Sequence, residues 1–323
     1  MDINQIQKVV EQEMIAVNAA IERHLQSDIE LINEIGRYIV EGGGKRLRPM
    51  LLILAAKASG EVKESHISAA TIIEFIHTAT LLHDDVIDMS ALRRGRETAN
   101  HIWGDQEAVL VGDFLYSRAF QMMVGIGDMR VMQILADATN TIAEGEVLQL
   151  VNQKSVDVTV EDCLEVIKRK TAKLFEAAGE LGVLLSGASR QVQQGMADYG
   201  MHLGIAFQLI DDVLDYSADE SELGKQIGDD IAEGKVTLPL LYAMEEISAE
   251  KRQQITQAIE SKGEGVDVGA IALIVQATKA LDRTKCLAQE HILQAKNALA
   301  VLEASQASEI LHLVADFALA RSK

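Results

Sequence analysis

Residues 66–88, HISAATIIEFIHTATLLHDDVID, decide how this chain reads. From Ile67 onward apolar side chains fill most positions, no glycine or proline intervenes, and the run closes on Asp84, Asp85 and Asp88. That pattern predicts a buried helix over 66–88 with an acidic C-terminal end. Asp84 and Asp88 lie one turn apart, so their carboxylates project from one face. Like charges at that spacing repel, and the helix dipole disfavours anions at a C-terminus. Such an end calls for a cation. Hard, oxygen-seeking Mg²⁺ suits it, since that ion takes one or two carboxylates and completes its octahedron with water and phosphate.

The same arrangement returns in Asp211-Asp212-Val213-Leu214-Asp215, again at the end of a long apolar helix. Chance produces one such cluster easily and two, both at helix ends, far less easily. If the two clusters face each other across an antiparallel bundle, they form a deep acidic cavity. Buried carboxylates are costly alone. With two or three Mg²⁺ between them they become a receptor for diphosphate, in the way that bundles build metal sites from facing helices.

Outward from these helices the chain stays helical. Helices are predicted over 5–39 (one or two), 49–59, 107–124, 128–151, 160–186, 190–217, 236–247, 250–261, 268–303 and 305–320. Residues 89–105 read as charged and irregular, and no stretch alternates with period two, so no sheet is expected. The 323 residues contain two prolines, 4% aromatics and 48% hydrophobic residues, which favours an all-α protein with a large core. Without a linker or low-complexity segment, the expectation is one domain over 1–323. A net charge of -19 argues against nucleic-acid binding. Cys163 and Cys286 are too few for a disulfide framework. No secretory signal pattern opens the chain and no apolar run could span a bilayer, so a cytoplasmic protein is expected.

Basic residues gather near each acidic end. Gly42-Gly43-Gly44-Lys45-Arg46-Leu47-Arg48-Pro49 sets three cations after a glycine run that lets backbone amides approach a phosphate. It is not a Walker loop, because the spacing is wrong and no strand precedes it. Arg93-Arg94-Gly95-Arg96 follows the first acidic end, placed either to fold back on it or to bind a second diphosphate. Lys170 and Thr171 lie in a helix, Gln208 stands three residues before Asp211, and Lys225 and Lys235 lie on a glycine-punctuated segment after the second cluster. His77 is two turns before Asp84 on the same helix; its position alone does not make it a base.

Taken together, Gly43-Gly44-Lys45-Arg46-Leu47-Arg48-Pro49, Leu82-His83-Asp84-Asp85-Val86-Ile87-Asp88, Arg93-Arg94-Gly95, Gly112-Asp113-Phe114-Leu115, Phe207-Gln208-Leu209-Ile210-Asp211-Asp212 and Gly234-Lys235-Val236-Thr237-Leu238-Pro239 resemble the trans-isoprenyl diphosphate synthases over essentially the whole chain. The likeness is greatest to the long-chain bacterial branch of the quinone pathway. It implies an all-α, single-domain helical bundle around a deep central cavity, and a homodimer. It implies Mg²⁺ held by Asp84, Asp88 and Asp211, with Asp85, Asp212 and Asp215 in support. Lys45, Arg48, His77 and Arg94 would hold isopentenyl diphosphate. Arg93, Lys170, Thr171, Gln208, Lys225 and Lys235 would hold an allylic diphosphate, with farnesyl diphosphate as the primer. Arg321 and Lys323 resemble basic tails that cap the site in some relatives.

The chemistry so implied is ionisation of the allylic C–O bond, attack by the double bond of isopentenyl diphosphate, and proton loss. Product length would follow the depth of an apolar tunnel beside the 66–88 helix. Ile76, Ala79 and Thr80 lie upstream of Asp84, where bulky aromatics block growth in short-chain relatives; the small Ala79 and Thr80 would leave the tunnel open. A helix of this length offers roughly 35–40 Å of wall, enough for about eight prenyl units. Met123, with Met122 and Met132, would supply an adaptable floor. The competing readings are a synthase of shorter or longer product, a class I terpene cyclase, which needs only one diphosphate, and an inactive regulatory subunit.

Overall fold

The computed structural model of the protein describes residues 3–93, 95–153, 155, 157–217, 228–261, 263 and 265–320. The chain divides into two compact units, Met1–Thr139 with Leu174–Gly200 and Ala298–Val314, and Asn140–Lys173 with Met201–Asn297 and Ala315–Lys323.

In the first unit the expected 5–39 helices are three: α1 (Ile3–Val9), α2 (Glu11–Leu25) and α3 (Glu30–Glu41). α4 (Leu47–Ser59) and α5 (Glu64–Ile87) follow, then α6 (Ala99–Trp103), α7 (Asp105–Ile126) and the start of α8 (Met129–Asn152). α5 is the spine, packed against α2, α4 and α7. Ile72, Ile73, Phe75, Ile76 and Ala79 are wholly buried on it. Burying a side chain of Ile or Phe size contributes about 1.5–3 kcal/mol, so this one helix anchors much of the unit. α7 approaches closely at Gly112, where a Cβ would run into the His83 ring.

The start of α5 is fixed by His66. Its Nδ1 accepts the Lys63 backbone N–H at 2.8 Å, and its Nε2 lies 3.2 Å from Gly182 O and from Ser186 Oγ. Nδ1 must therefore be unprotonated. Burial, the largest influence, together with the nearby Lys63 charge, holds the His66 pKa below the usual imidazole range.

The absence of any sheet is corrected. Leu92–Arg93 (β1) and Arg96–Glu97 (β2) pair antiparallel about Gly95. Two-residue strands are too short to show a period-two pattern, which is why the sequence does not reveal them.

In the second unit α9 (Val160–Val166) opens with a reciprocal Thr159–Asp162 cap and runs into a π turn, Ile167–Ala172; the chain continues as α10 (Lys173–Leu185), which belongs to the first unit from Leu174 on. The segment read as one helix over 160–186 is thus wider in its middle. α11 (Arg190–Ser217) spans the predicted 190–217. Then come α12 (Asp229–Ala232), α13 (Leu238–Glu246), α14 (Ala249–Glu260), α15 (Val268–Gln276) and α16 (Ala280–Ala298); α17 (Gln306–Ala320), which follows, belongs to the first unit as far as Val314. The core of the second unit gathers Tyr216, Leu240, Ile255, Ile271 and Val275. The helix predicted over 268–303 is two helices. Thr278 separates them: its hydroxyl donates to Val275 O at 2.7 Å and accepts the Ala280 N–H at 3.2 Å, competing with the helical ladder. Among the described residues no helix is long and apolar enough to cross a membrane.

Candidate active site

The first acidic end forms as α5 stops. Met89 turns left-handed at φ 53, and the Ser90 N–H reaches back to Asp85 O at 2.9 Å. The middle aspartate is the deepest: the Asp85 side chain is 1% exposed, against 15% for Asp84. Arg93 folds back from β1 and donates through Nε to Asp85 Oδ1 at 2.7 Å, with Nη2 3.9 Å from Asp84 Oδ2. Arg93 thus folds back on the acidic end that precedes it. Burial raises the Asp85 pKa, Arg93 opposes this, and Asp84 and Asp88 add to the rise. Asp85 Oδ2 is buried with no hydrogen-bond partner.

Beside this end a solvent-open cleft brings His77, Asp85 and Arg93 together with Gly43, Arg46 and Arg96. Arg48 Nη1 lies 3.1 Å from His77 Nε2, and its guanidinium sits 4.4 Å from the centre of the Phe175 ring. His77 and Arg48 are thus within hydrogen-bond reach of each other. Lys45 is exposed on the loop that precedes α4. Arg46, read from sequence as one of three phosphate-facing cations, lines the cleft in an ion pair with Glu74.

At the second acidic end the middle aspartate is again the buried one: Asp212 is 4% exposed. Gln208 Nε2 donates to Asp212 Oδ1 at 2.9 Å, and Thr171 Oγ1 donates to Gln208 Oε1 at 3.0 Å. Gln208 is thus tied to Asp212 one turn on, rather than to Asp211. Burial pushes the Asp212 pKa well up, Asp230 and Asp211 add to it, and Gln208 and Lys235 oppose it. Asp215 accepts the Asp230 backbone N–H at 3.3 Å, which fastens the start of α12 to the end of α11.

Lys170 sits in the π turn, held by Glu146 Oε2 at 2.6 Å and Gln149 Oε1 at 2.7 Å. π turns cluster at functional sites because they re-aim side chains within a helix. Gly145 makes this one possible: a Cβ there would stand 2.6 Å from the Lys170 backbone N. A lone glycine inside a helix is a sequence signal for such close approach, and it went unread. Lys235 pairs with Glu233 at 2.7 Å. Ile76, Ala79 and Met123 are buried and Thr80 is half-buried, its hydroxyl donating to His77 O at 2.7 Å. Arg94, Lys225, Arg321 and Lys323 lie outside the described residues.

A model of the family described as polyprenyl synthetase matches residues 29–277. The chain belongs to the polyprenyl synthetase family. It is similar to the octaprenyl diphosphate synthase of Escherichia coli K12, 48% identical over 100% of both chains. The octaprenyl diphosphate synthase of Haemophilus influenzae is 45% identical over 96% of this chain and 94% of that one. Among solved structures, a polyprenyl synthase from Caulobacter crescentus, complexed with calcium and isoprenyl diphosphate, superposes with TM-score 0.96 at 41% identity, over 100% of this chain and 98% of that one. A decaprenyl diphosphate synthase from Rhodobacter capsulatus gives 0.93 at 41%, over 100% of both.

Members of the polyprenyl synthetase family are divalent-metal-dependent prenyltransferases, and the donor sets here fit such an ion. Each acidic end offers hard carboxylate oxygens, with a buried middle aspartate whose pKa is raised by burial and by its acidic neighbours. Among the described residues no three acidic or histidine side chains form a ready-made cage. Mg²⁺-type sites do not need one, since water and phosphate complete the shell.

Proposed function

We propose that this chain is a long-chain trans-polyprenyl diphosphate synthase that adds isopentenyl diphosphate repeatedly to an allylic primer, farnesyl diphosphate, giving about C40 octaprenyl diphosphate for a quinone side chain. The observation that carries the reading is the repeated acidic helix end, each with a buried middle aspartate and attendant basic side chains, in a polyprenyl synthetase. Mg²⁺ is the ion, with Asp84, Asp88 and Asp211 as its ligands and Asp85, Asp212 and Asp215 in support. When bound, it neutralises charge on the departing diphosphate.

The rest falls to the chain itself. Lys45, Arg48, His77 and Arg94 hold isopentenyl diphosphate, with Arg48 steadied by His77 and Phe175. Arg93, Lys170, Thr171, Gln208, Lys225 and Lys235 hold the allylic diphosphate. Arg93 exchanges part of its grip on Asp85 for the phosphate. Holding both substrates side by side makes condensation a local step. Apolar walls exclude water, which would quench the allylic cation. The departing diphosphate takes the proton. Ile76, Ala79, Thr80 and Met123 set chain length. The whole chain acts as one catalytic domain in the cytoplasm, as a homodimer. Supporting the homodimer, α7 exposes the apolar side chains Leu110 (66%), Phe120 (39%) and Val124 (68%) around Asp113 and Ser117, on a face that a second copy would cover.

The test incubates purified protein with farnesyl diphosphate, labelled isopentenyl diphosphate and Mg²⁺, followed by mass spectrometry of the dephosphorylated products. A C40 alcohol is expected, together with loss of turnover in Asp84→Ala at an unchanged helical circular-dichroism spectrum. Failure to incorporate label, or wild-type turnover in Asp84→Ala, refutes the reading. Release of a cyclic hydrocarbon without isopentenyl diphosphate would make the protein a terpene cyclase.

A further inference from the structure

Arg46 stands where an arginine is out of place. It precedes α4 with φ 45 and ψ 43, the left-handed conformation that L side chains rarely adopt. A backbone held there needs something to over-determine it. Its guanidinium supplies that: Nη1 meets Glu74 Oε1 at 2.5 Å and Nη2 reaches Val40 O at 3.4 Å. Both side chains of the ion pair are largely buried, 17% and 11% exposed, in the wall of the cleft that also holds His77.

The left-handed turn has a geometric consequence. Side chains two residues apart on a continuous helix diverge by about 200°. Arg46 and Arg48 are two apart, yet they land on Glu74 and His77, which are neighbours along one face of α5. The left-handed backbone at Arg46, just before α4, lets both reach that face. The Arg46–Glu74 pair therefore sets the pose of the loop that carries Lys45 and of the first turn of α4 that carries Arg48.

We propose that Arg46 and Glu74 are positioning residues that fix the isopentenyl diphosphate-binding cations without themselves touching substrate. The inference rests on the function proposed above. It differs sharply from the alternative in which Arg46 grips the diphosphate directly. In that case Glu74 is a competing anion, and removing its charge should tighten binding. If the pair is a positioning device, removing that charge should loosen it.

The experiment measures steady-state kinetics of full-length wild type, Glu74→Gln, Arg46→Gln and the double variant, with circular dichroism as a fold control. Each single change is expected to raise KM for isopentenyl diphosphate about tenfold, leaving kcat and the KM for farnesyl diphosphate within about threefold. The double variant should be no worse than the worse single, because the two side chains act as one unit. Arg46→Lys keeps the charge and loses the fork, so it guards against misfolding of the glutamine variants; it should show an intermediate KM. An unchanged or lowered KM in Glu74→Gln, additive effects, or a wild-type KM in Arg46→Lys would overturn the proposal. A wild type that does not consume isopentenyl diphosphate overturns both this and the functional reading; an active wild type matched by its variants overturns this alone.

Discussion

Gly145→Ala tests whether α8 holds the π turn in place. The added Cβ would lie 2.6 Å from the Lys170 backbone N, 2.8 Å from Arg169 Cβ and 3.0 Å from the Arg169 carbonyl carbon. Side-chain carbons essentially never sit closer than 3.0 Å to such atoms, so α8 and the turn must part by at least about 0.4 Å, and by about twice that to reach ordinary contact. The obstacles are backbone and Cβ, which cannot swing aside as a side-chain tip would. Two effects compete. Alanine in place of glycine inside a helix gains about 1 kcal/mol of propensity. Overpacking at a closed contact costs about 1–3 kcal/mol. The expected balance is a loss of about 0–2 kcal/mol, a fall in the melting temperature of a few degrees. The kinetic effect should be larger. Glu144 and Glu146 flank Gly145 and bind Arg169 and Lys170 at 2.7 and 2.6 Å, so the shift moves Lys170 and its clamp together. The KM for farnesyl diphosphate should rise about tenfold or more, while that for isopentenyl diphosphate holds. Thermal melting and two-substrate kinetics decide it. A variant with a raised melting temperature and unaltered KM would show that propensity wins and that the π turn does not depend on this contact.

Three further outcomes are expected. Stability should fall as pH drops below about 6.5. His66 and His291 have pKa values lowered by burial, His291 to about 4, so the unfolded chain takes up protons that the native one refuses. Each such group steepens the loss by up to about 1.4 kcal/mol per pH unit, and urea titrations at pH 7.5, 6 and 5 that give equal stabilities would contradict this. Cys163 is buried, bonded to Val236 O at 3.2 Å and pushed up to about 12, whereas Cys286 is exposed. A thiol reagent should therefore label Cys286 rapidly in the native protein and Cys163 only after denaturation, which peptide mapping reads directly. Ala79→Tyr should shorten the polyprenyl product, and an unchanged product profile in mass spectrometry would remove Ala79 from the chain-length wall.

The α-helical character, the extent of α5 and α11 and the two acidic helix ends were legible in the residues alone. These are local properties: apolar periodicity, the scarcity of proline, and carboxylates one turn apart. The pairing of Arg93 with the first acidic end was legible only as one of two possibilities, because an arginine on a short loop can reach either a carboxylate or a phosphate. Burial leaves Asp85 in need of a partner, and Arg93 supplies it. The break at Thr278 and the hairpin 92–97 escaped for another reason: a hydroxyl can cap or be spectator, and strands of two residues have no period to read.

What tertiary structure alone decided is which side chains oppose one another across helices. Arg46 reads as a third cation of a basic loop, yet the fold spends it on Glu74, twenty-eight residues away, and bends its backbone left-handed to do so. Lys170 reads as a helical lysine whose neighbours in space are unknown, and a π turn and a bare glycine on α8 set it between Glu146 and Gln149. Spacing along a helix fixes which residues share a face. Which neighbour that face meets, and how closely, depends on packing between segments far apart in sequence, and that information resides in shape rather than in the order of residues.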